Sequence, residues 1–244
     1  MKDRPVAIIQ ARTGSTRLPG KVLEKIEDRT LLEYVIDRCK LSKSLADIIL
    51  ATTEFPADDP IFEMGISLGV KVFRGSEEDV LERYVLAAEK FGADLIVRIT
   101  ADCPLIDPEI IDRTIQQYKE NPSDYLNISG YPNGLGAVEV LTLSSLQQVM
   151  LETSPNDTYY REHVMTYITD HPEKFTVTIP TAPLLLRRPK IRLSVDEQAD
   201  LDLIKIICHN FAPRINFNTK EIISFLDKNP QYAAINSNVK QKAY

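Results

Sequence analysis

Residues 6–21 read VAIIQARTGSTRLPGK, an apolar run that leads directly into a polar and basic loop. The run Val6–Gln10 opens with four apolar residues in succession, which predicts a buried strand. In open α/β folds, ligands bind outside the carboxyl ends of the strands. The loop Ala11–Lys21 is therefore expected to lie at a ligand-binding edge of a sheet.

Strand and helix patterns alternate through the first half of the chain. The predicted strands are Val6–Gln10, Asp47–Thr53, Val70–Phe73 and Asp94–Ile99, and the predicted helices begin near Thr30, at Asp58, after Ser76 and at Pro108. Such alternation predicts an α/β fold in which helices cover both faces of a mostly parallel sheet.

The pattern becomes irregular after Asn121. Strands are predicted at Tyr125–Ile128, Ala137–Leu141, Phe175–Ile179 and Lys190–Val195, and helices at Leu143–Glu152, Thr158–Asp170, Glu197–Asn210 and Lys220–Asn229. We interpret residues 1–244 as one domain with an insertion-like subregion at 125–185 for substrate or dimer contacts. Residues 231–244 are expected to form a polar, frayed tail.

Composition excludes several classes of protein. The 244 residues are 43% hydrophobic and 26% charged, which is ordinary for a globular domain. A net charge of −6 argues against general binding of nucleic acid. No apolar run approaches the roughly 20 residues of a membrane helix, and the N-terminal apolar stretch is too short for a secretory signal. We expect a cytoplasmic protein with no membrane partner.

The basic loop suits a polyphosphate. Glycine lets backbone N–H groups approach phosphate oxygens, and arginine offers forked donors to them. The spacing is neither that of a Walker loop, since Val22 follows Lys21, nor that of a dinucleotide fingerprint. A basic surface loop with a Pro-Gly turn is the alternative, and the combination of Arg12, Arg17 and Lys21 with glycines and hydroxyl groups disfavours it.

Two aspartates follow predicted strands far apart in the chain. Asp102 lies in RITADCPLID and Asp196 in RLSVDEQADL. Carboxylates beside a triphosphate would repel it by several kcal/mol unless a divalent cation lay between them. Each aspartate could instead cap a helix, an alternative that is stronger for Asp196.

The loop resembles the N-terminal signature of the sugar cytidylyltransferases, approximately A-R-x-G-S-x-R-x-P-G-K, and is most similar to the branch named after spore coat polysaccharide biosynthesis protein F. The D-x-P-L-I and V-D-x-x-x-D-L motifs around the two aspartates are also similar to segments of Kdo-activating relatives. This resemblance implies a three-layer, Rossmann-like nucleotide-diphospho-sugar transferase fold. It also implies transfer of CMP from CTP to an acidic or nonulosonate-type sugar for surface or spore-coat polysaccharide synthesis, with release of pyrophosphate.

The resemblance also implies roles for particular residues. Arg12, Lys21, Asp102 and Asp196 would be catalytic, and the two aspartates would hold Mg²⁺. The predicted nucleotide-binding residues are Ala11, Arg12, Gly14, Ser15, Arg17, Lys21 and Arg98, and the predicted sugar-binding residues are Asn133, Glu139, His163, Arg187 and Arg192. A structural ion pair would explain Arg98 and Arg192 equally well.

Three other functions remain open at this point. The chain could use UTP, GTP or another nucleotide, or it could be a nucleotide-sugar-dependent glycosyltransferase, although TADCP lacks the first aspartate of a D-x-D motif. It could also be a non-catalytic sugar-binding protein with this fold. The sialic-acid branch has Q-P-T-x-P where this chain has TADCP, which argues against sialic acid as the substrate. By family analogy we expect a homodimer.

Overall fold

The computed structural model describes residues 4–240 and, within them, a seven-stranded sheet flanked by helices. The strands are β1 Pro5–Gln10, β2 Lys25–Ile26, β3 Arg29–Thr30, β4 Asp47–Thr53, β5 Lys71–Gly75, β6 Leu95–Thr100, β7 Tyr125–Asn127, β8 Glu139–Thr142 and β9 Val177–Thr178. The helices are α1 Leu31–Lys40, α2 Asp59–Ser67, α3 Val80–Phe91, α4 Pro108–Glu120, α5 Leu143–Glu152, α6 Thr158–Glu162, α7 Thr166–Asp170, α8 Gln198–Phe211, α9 Thr219–Lys228 and α10 Pro230–Ala233.

The sheet is mostly parallel, as the sequence predicts. Its strand order is β5-β4-β1-β6-β8-β7-β9, and β5, β4, β1 and β6 are mutually parallel. β8 pairs antiparallel with both β6 and β7, so the middle of the chain extends the same sheet. The α/β class is therefore confirmed. The assignment of 1–244 to one domain with a 125–185 subregion stays a prediction.

Alternate residues of β1 are buried in two separate hydrophobic cores, one on each face of the sheet. Ala7 and Ile9 of β1 pack with the apolar sides of α1, α4, α8 and α9. Val6 and Ile8 pack with α3, α5 and α7 on the opposite face. Successive side chains of a strand point to opposite faces, so this buried strand requires helices on both.

Side-chain caps lie at the starts of α1, α3 and α4, close to the predicted helix starts. The Thr30 side chain and Glu33 form a reciprocal capping box at α1, and Asp79 accepts from the backbone N–H of Glu82 at α3. Asp107 caps α4, where Pro108 is the first helical residue. These caps set where each helix leaves the sheet, and α3 starts at the carboxyl edge of β5.

The predicted strand Lys190–Val195 is wrong. The segment makes one isolated bridge, between Asn133 and Arg192, and no ladder with the sheet. Two backbone hydrogen bonds join it instead to the turn at 131–136, where Asn133 N–H donates to the Ile191 carbonyl and Leu193 N–H donates to the Asn133 carbonyl, and Val195 N–H donates to the Asp102 carbonyl. Gly134 permits the close approach, because a Cβ there would lie 2.6 Å from the carbonyl carbon of Leu193.

The predicted helix Thr158–Asp170 is also wrong, because it divides into α6 and α7. His163 breaks it with a non-helical backbone, and Val164 and Met165 turn inward to 1% and 8% exposure. Burial of these two apolar side chains outweighs the helical preference of the segment. The break brings 163–165 to the edge of the sheet where the basic loop lies.

The remaining differences are small. The predicted strand Phe175–Ile179 shortens to β9, an edge strand parallel to β7. The β2–β3 hairpin, with Glu27 at a φ of 57°, has no counterpart in the sequence analysis.

The polar tail is not frayed as far as residue 240. Residues 230–233 form α10, and Asn236 is only 3% exposed. Its amide donates to the Arg192 carbonyl at 3.0 Å and to Asp200 Oδ1 at 2.8 Å. These bonds hold the C-terminal segment against the 190–200 region. The last residues of the predicted tail, 241–244, lie outside the described residues.

Replacing Asn236 by alanine should lower the free energy of unfolding by about 1–3 kcal/mol, because the change leaves Asp200 and a carbonyl short of a donor in a buried site. Urea denaturation measures this loss. Asn238→Ala, an exposed asparagine two residues away, is the matched control and should change stability by less than about 0.5 kcal/mol. Equal effects would show that Asn236 does not anchor the segment.

Candidate active site

A pocket of about 680 Å³ opens at the carboxyl ends of β1 and β6. Its lining comes from the loop after β1, the start of α3, the residues after β6, the β8 edge and the 162–166 break. The predicted site residues that line it are Ala11, Arg12, Gly14, Ser15, Arg17, Lys21, Arg98, Asp102, Asn133, Glu139, His163 and Asp196.

A buried aspartate that the sequence analysis missed anchors the basic loop. Asp58, 3% exposed, accepts from both the backbone N–H and the hydroxyl of Thr13 at 2.7 Å. Gly20 N–H returns to the Thr13 carbonyl at 3.0 Å, and the positive φ of Gly20, 71°, suits its lack of a Cβ. The loop is thus held at Thr13 and closes on itself before Lys21.

The ammonium of Lys21 joins three segments of the chain. Nζ donates to the Val195 carbonyl at 2.6 Å, to Asp196 Oδ1 at 2.9 Å and to Asp102 Oδ2 at 3.3 Å. Lys21 itself is only 9% exposed. The two carboxylates therefore converge on one cation position, although Asp196 does not follow a strand as predicted.

The charges in this cluster stabilise one another. Burial alone would lower the pKa of Lys21, but Asp102 and Asp196 outweigh it and raise that pKa above its ordinary value. Burial works against the charged form of Asp196 as well, yet Lys21, Arg17 and Arg192 hold its pKa below 3.8. Both groups are therefore charged at neutral pH.

Asp196 is oriented from behind by a second ion pair. Arg192 bonds to Asp196 Oδ2 and, through Nε, to Asp200 Oδ1 at 3.0 Å. Asp200 is fully buried and accepts the backbone N–H groups of Asp196 and Glu197 at 2.9 and 3.0 Å. Asp200 thus belongs to the capping interactions at the start of α8. Arg17 lies on the pocket side, 2.9 Å from Asp196 Oδ1.

Another ion pair, between Arg98 and Glu139, forms the pocket wall at the β6–β8 edge. Arg98 and Glu139 face each other in the β6–β8 register and are hydrogen bonded, and the Tyr125 hydroxyl donates to the same carboxylate. Burial opposes the charge of Arg98, but Glu139 raises its pKa above the ordinary value. Arg98 therefore acts within this wall as part of a fixed, charge-balanced pair.

Arg12 has weaker partners. It lies 3.4 Å from Glu77 and 3.6 Å from Glu162, and its side chain is 37% exposed. Exposed ion pairs of this length contribute little, so the guanidinium can exchange them for a ligand.

Arg187 and Arg192, predicted to contact the sugar, do not line this pocket. Arg187 donates to the Ala182 carbonyl at 3.0 Å. Arg192 is 9% exposed and its charge is directed at Asp196 and Asp200. Arg192 is thus a positioning residue for Asp196, the ion-pair alternative of the sequence analysis.

Sequence analysis missed two residues besides Asp58 that shape the pocket. Thr100 donates to Asp102 Oδ1 at 2.6 Å and fixes that carboxylate. Arg83 lines the pocket from the first turn of α3 and is 2% exposed. Its signal in the sequence is a cation four residues after the helix cap Asp79, in a helix that starts at the binding edge.

Another surface groove, of about 830 Å³, lies between α8, α9 and α10. It is lined by residues between Asn210 and Tyr232 and contains none of the predicted site residues. The pocket at the sheet edge is therefore the candidate active site. Among residues 4–240, no helix is both long enough and apolar enough to cross a bilayer.

A pocket that can take a nucleotide by its phosphates, next to paired carboxylates at a sheet edge, is characteristic of nucleotidyltransferases. Comparison with known proteins narrows this class. The model of the family described as "Cytidylyltransferase" matches residues 6–222, so the chain belongs to the cytidylyltransferase family. It is a nucleotidyltransferase of the CMP-sugar synthetase type.

Two curated relatives match nearly the whole chain. Uncharacterized protein MJ1063 of Methanocaldococcus jannaschii is 45% identical over 239 residues, 98% of this chain and 97% of the relative. Spore coat polysaccharide biosynthesis protein SpsF of Bacillus subtilis is 37% identical over 230 residues, 93% of this chain and 95% of the relative.

Solved structures share the architecture. A cytidylyltransferase from Leptospira borgpetersenii superposes with a TM-score of 0.87 at 33% identity, covering 99% of both chains. CMP:2-keto-3-deoxy-manno-octonic acid synthetase complexed with CTP gives a TM-score of 0.64 at 17% identity, over 85% of this chain and 99% of that one. The second likeness is one of fold alone, and together they confirm the nucleotide-sugar transferase architecture.

Replacing Asp196 by asparagine should give a stability deficit that depends on pH. Because the pKa of Asp196 is lowered in the folded protein, its carboxylate stabilises the fold fully above the ordinary value of 3.8. This contribution is lost as the pH falls through the folded-state pKa. We expect a deficit of about 1–3 kcal/mol at pH 7 that shrinks below about pH 5. Urea denaturation at several pH values measures it, and a deficit that grew on acidification would contradict this electrostatic assignment.

Proposed function

We propose that the protein transfers CMP from CTP to a hydroxyl of an acidic sugar of the nonulosonate or keto-deoxy type, releasing pyrophosphate, in polysaccharide biosynthesis. The observation that carries the proposal is the convergence of Lys21, Asp102 and Asp196 at one cation position beside the phosphate-binding loop. Transfer of a cytidylyl group follows from membership of the cytidylyltransferase family. The acidic sugar and the polysaccharide pathway are the further parts of the proposal.

The reaction is a direct displacement at the α-phosphorus. The sugar oxygen forms a bond to that phosphorus and gives its proton to water, while the bond from the α-phosphorus to the oxygen that bridges to the β-phosphorus breaks and pyrophosphate leaves. Such a step needs positioning and charge neutralisation more than covalent help. Arg12, Arg17 and the backbone around Gly14 and Ser15 would hold the phosphates, and Lys21 would offset the charge on the leaving group.

A magnesium ion fits the carboxylate pair. Asp102 Oδ2 and Asp196 Oδ1 both bind the Lys21 ammonium, so the ammonium marks a point that the two oxygens share. Mg²⁺ is bound through one or two carboxylates together with phosphate oxygens and waters, which suits a site with two protein ligands. When bound there, the ion would neutralise phosphate charge and act as a Lewis acid. Lys21 would then turn from the carboxylates to the phosphates.

The sugar would lie against the middle region. Asn133, Glu139 and His163 line that end of the pocket and offer polar groups for sugar hydroxyls. Support for an acidic sugar comes from the fold relative that makes CMP-2-keto-3-deoxy-manno-octonic acid, and support for a polysaccharide pathway comes from the name of SpsF. The homodimer and the cytoplasmic location stay predictions.

The test is pyrophosphate release by the purified protein with Mg²⁺. CTP should support release with a 2-keto sugar acid such as 3-deoxy-manno-octulosonate and not with neutral glucose or mannose. UTP, GTP and ATP in parallel test the rival nucleotidyltransferases. Release with neutral sugars only would overturn the acidic substrate, and release with UTP or GTP instead of CTP would contradict the cytidylyl assignment.

Asp102→Asn should lower this rate on the order of 10²-fold, because it removes one of the two carboxylates that would hold the Mg²⁺ ion against the phosphates. Asp202→Asn is the matched control, since Asp202 is an exposed aspartate on α8 outside the pocket. It should leave the rate unchanged. Removal of Mg²⁺ by a chelator should abolish pyrophosphate release by the wild type. Full activity after chelation would contradict the proposed magnesium site.

A further inference from the structure

A buried asparagine near the C-terminus supports the segment that carries Asp196. Asn236 is 3% exposed and does not line the active-site pocket. It also lies outside residues 6–222, the part of the chain that the family model matches. Its side-chain hydrogen bonds lead, through two further residues, to a carboxylate of the candidate active site.

One amide group of Asn236 joins the two ends of the segment 192–200. Its Nδ2 atom donates to the Arg192 carbonyl at 3.0 Å and to Asp200 Oδ1 at 2.8 Å. An amide nitrogen carries two hydrogens, so it can form both bonds at once. Asp196 lies between these two ends. We term the two bonds the Asn236 clamp.

Asp200 connects the clamp to Asp196. Its Oδ2 atom accepts the backbone N–H groups of Asp196 and Glu197 at 2.9 and 3.0 Å. Its Oδ1 atom accepts Arg192 Nε at 3.0 Å, and the same guanidinium bonds to the Asp196 carboxylate. The backbone and the side chain of Asp196 are therefore both held by groups that the clamp fixes.

The clamp acts from the side away from the pocket. On the pocket side, Lys21 Nζ donates to the Val195 carbonyl at 2.6 Å and to Asp196 Oδ1 at 2.9 Å. In the proposed reaction Lys21 would turn to the phosphates, and these bonds would be lost. The position of Asp196 would then depend on contacts that do not involve Lys21, and the clamp is one of them.

The support behind a metal ligand affects how tightly the metal binds. Groups that orient a ligand from behind commonly change metal affinity by about 10–100-fold when they are removed. Asp200 is fully buried, so a donor that it loses leaves its carboxylate incompletely hydrogen bonded. We expect such a loss to let the Asp196 carboxylate move away from Asp102.

We propose that Asn236 is a positioning residue for Asp196, so that the C-terminal segment completes the divalent-cation site of the pocket. That Asn236 holds residues 195–197 in place does not depend on any reaction. Its effect on cation affinity rests on the proposed magnesium site.

Hydrogen exchange of the full-length protein, without metal or nucleotide, tests the positional role. In Asn236→Ala, the amides of Asp196 and Glu197 should exchange about tenfold faster than in the wild type, beyond any change in the amides of β1. The β1 amides lie at the centre of the sheet and report overall stability.

Val149→Ala is the control for overall stability. Val149 is fully buried in the core on the face of the sheet opposite to the core that contains Leu193 and Val195. Its replacement should lower stability without the additional exchange at Asp196 and Glu197. An equal acceleration of these amides and those of β1 in Asn236→Ala would overturn the proposal.

Manganese binding without nucleotide tests the effect on the cation site. In a Lys21→Met background, where the ammonium no longer occupies the site, electron paramagnetic resonance measures Mn²⁺ affinity. Adding Asn236→Ala should weaken Mn²⁺ binding by about tenfold. Adding Asn229→Ala should leave it unchanged, because the Asn229 amide donates to the Phe225 carbonyl at 2.8 Å and lies outside the clamp. Unchanged Mn²⁺ affinity with Asn236→Ala would also overturn the proposal.

The variant Asn236→Leu separates hydrogen bonding from packing. Leucine branches as asparagine does and has no donor, so this variant should behave as Asn236→Ala in both measurements. Undiminished Mn²⁺ affinity in Asn236→Leu would assign the residue to packing alone and refute the positioning role.

Neither measurement requires CTP or a sugar. An absence of pyrophosphate release with every sugar would therefore contradict the proposed function and leave the clamp in place. Failure of Lys21→Met to bind Mn²⁺ would contradict the cation site and, with it, the proposed effect of Asn236 on cation affinity.

Discussion

The hydrogen bonds of the Lys21 ammonium hold the three segments of the candidate active site together. One nitrogen joins the loop after β1 to Asp102, 81 residues away, and to Val195 and Asp196, 174 and 175 residues away. Two carboxylates this close would repel each other in a buried site, and an ammonium between them turns that repulsion into attraction. The carboxyl edge of the sheet positions the loop after β1 and Asp102. The ion cluster around Lys21 holds the later segment 195–196 against that edge.

Asp196 reaches the cluster through a layer of buried polar contacts. Arg192 and Asp200 hold it from behind, and Asn236 ties both to the C-terminal segment. Each member is matched by a partner of opposite polarity, which is the condition for a stable buried network. Residues far from the pocket can therefore affect the chemistry by moving one carboxylate.

The sheet and the phosphate-binding loop could be predicted from the sequence because the patterns that indicate them lie among neighbouring residues. The run Val6–Gln10, the caps at Thr30 and Asp107, and the glycines and cations of the loop each follow from neighbouring residues. The segment Lys190–Val195 was misassigned because it is apolar enough for a strand, while its partner is a turn that Gly134 brings close. The break at His163 and the burial of Asn236 depend on contacts with distant residues and leave no periodic signal. Asp102 and Asp196 come together as predicted, through the Lys21 ammonium and a backbone hydrogen bond from Val195 N–H to the Asp102 carbonyl rather than through parallel strands.

We propose that the Lys21 ammonium occupies a cation position that Mg²⁺ would take when nucleotide is present. Titration of Mn²⁺, which favours the same oxygen ligands, can be followed by electron paramagnetic resonance without nucleotide. Lys21→Met should bind Mn²⁺ at least about tenfold more tightly than wild type, because a positive charge within about 4 Å of the site is removed. A further Asp102→Asn change should abolish the gain. Equal Mn²⁺ affinity in wild type and Lys21→Met would contradict the account.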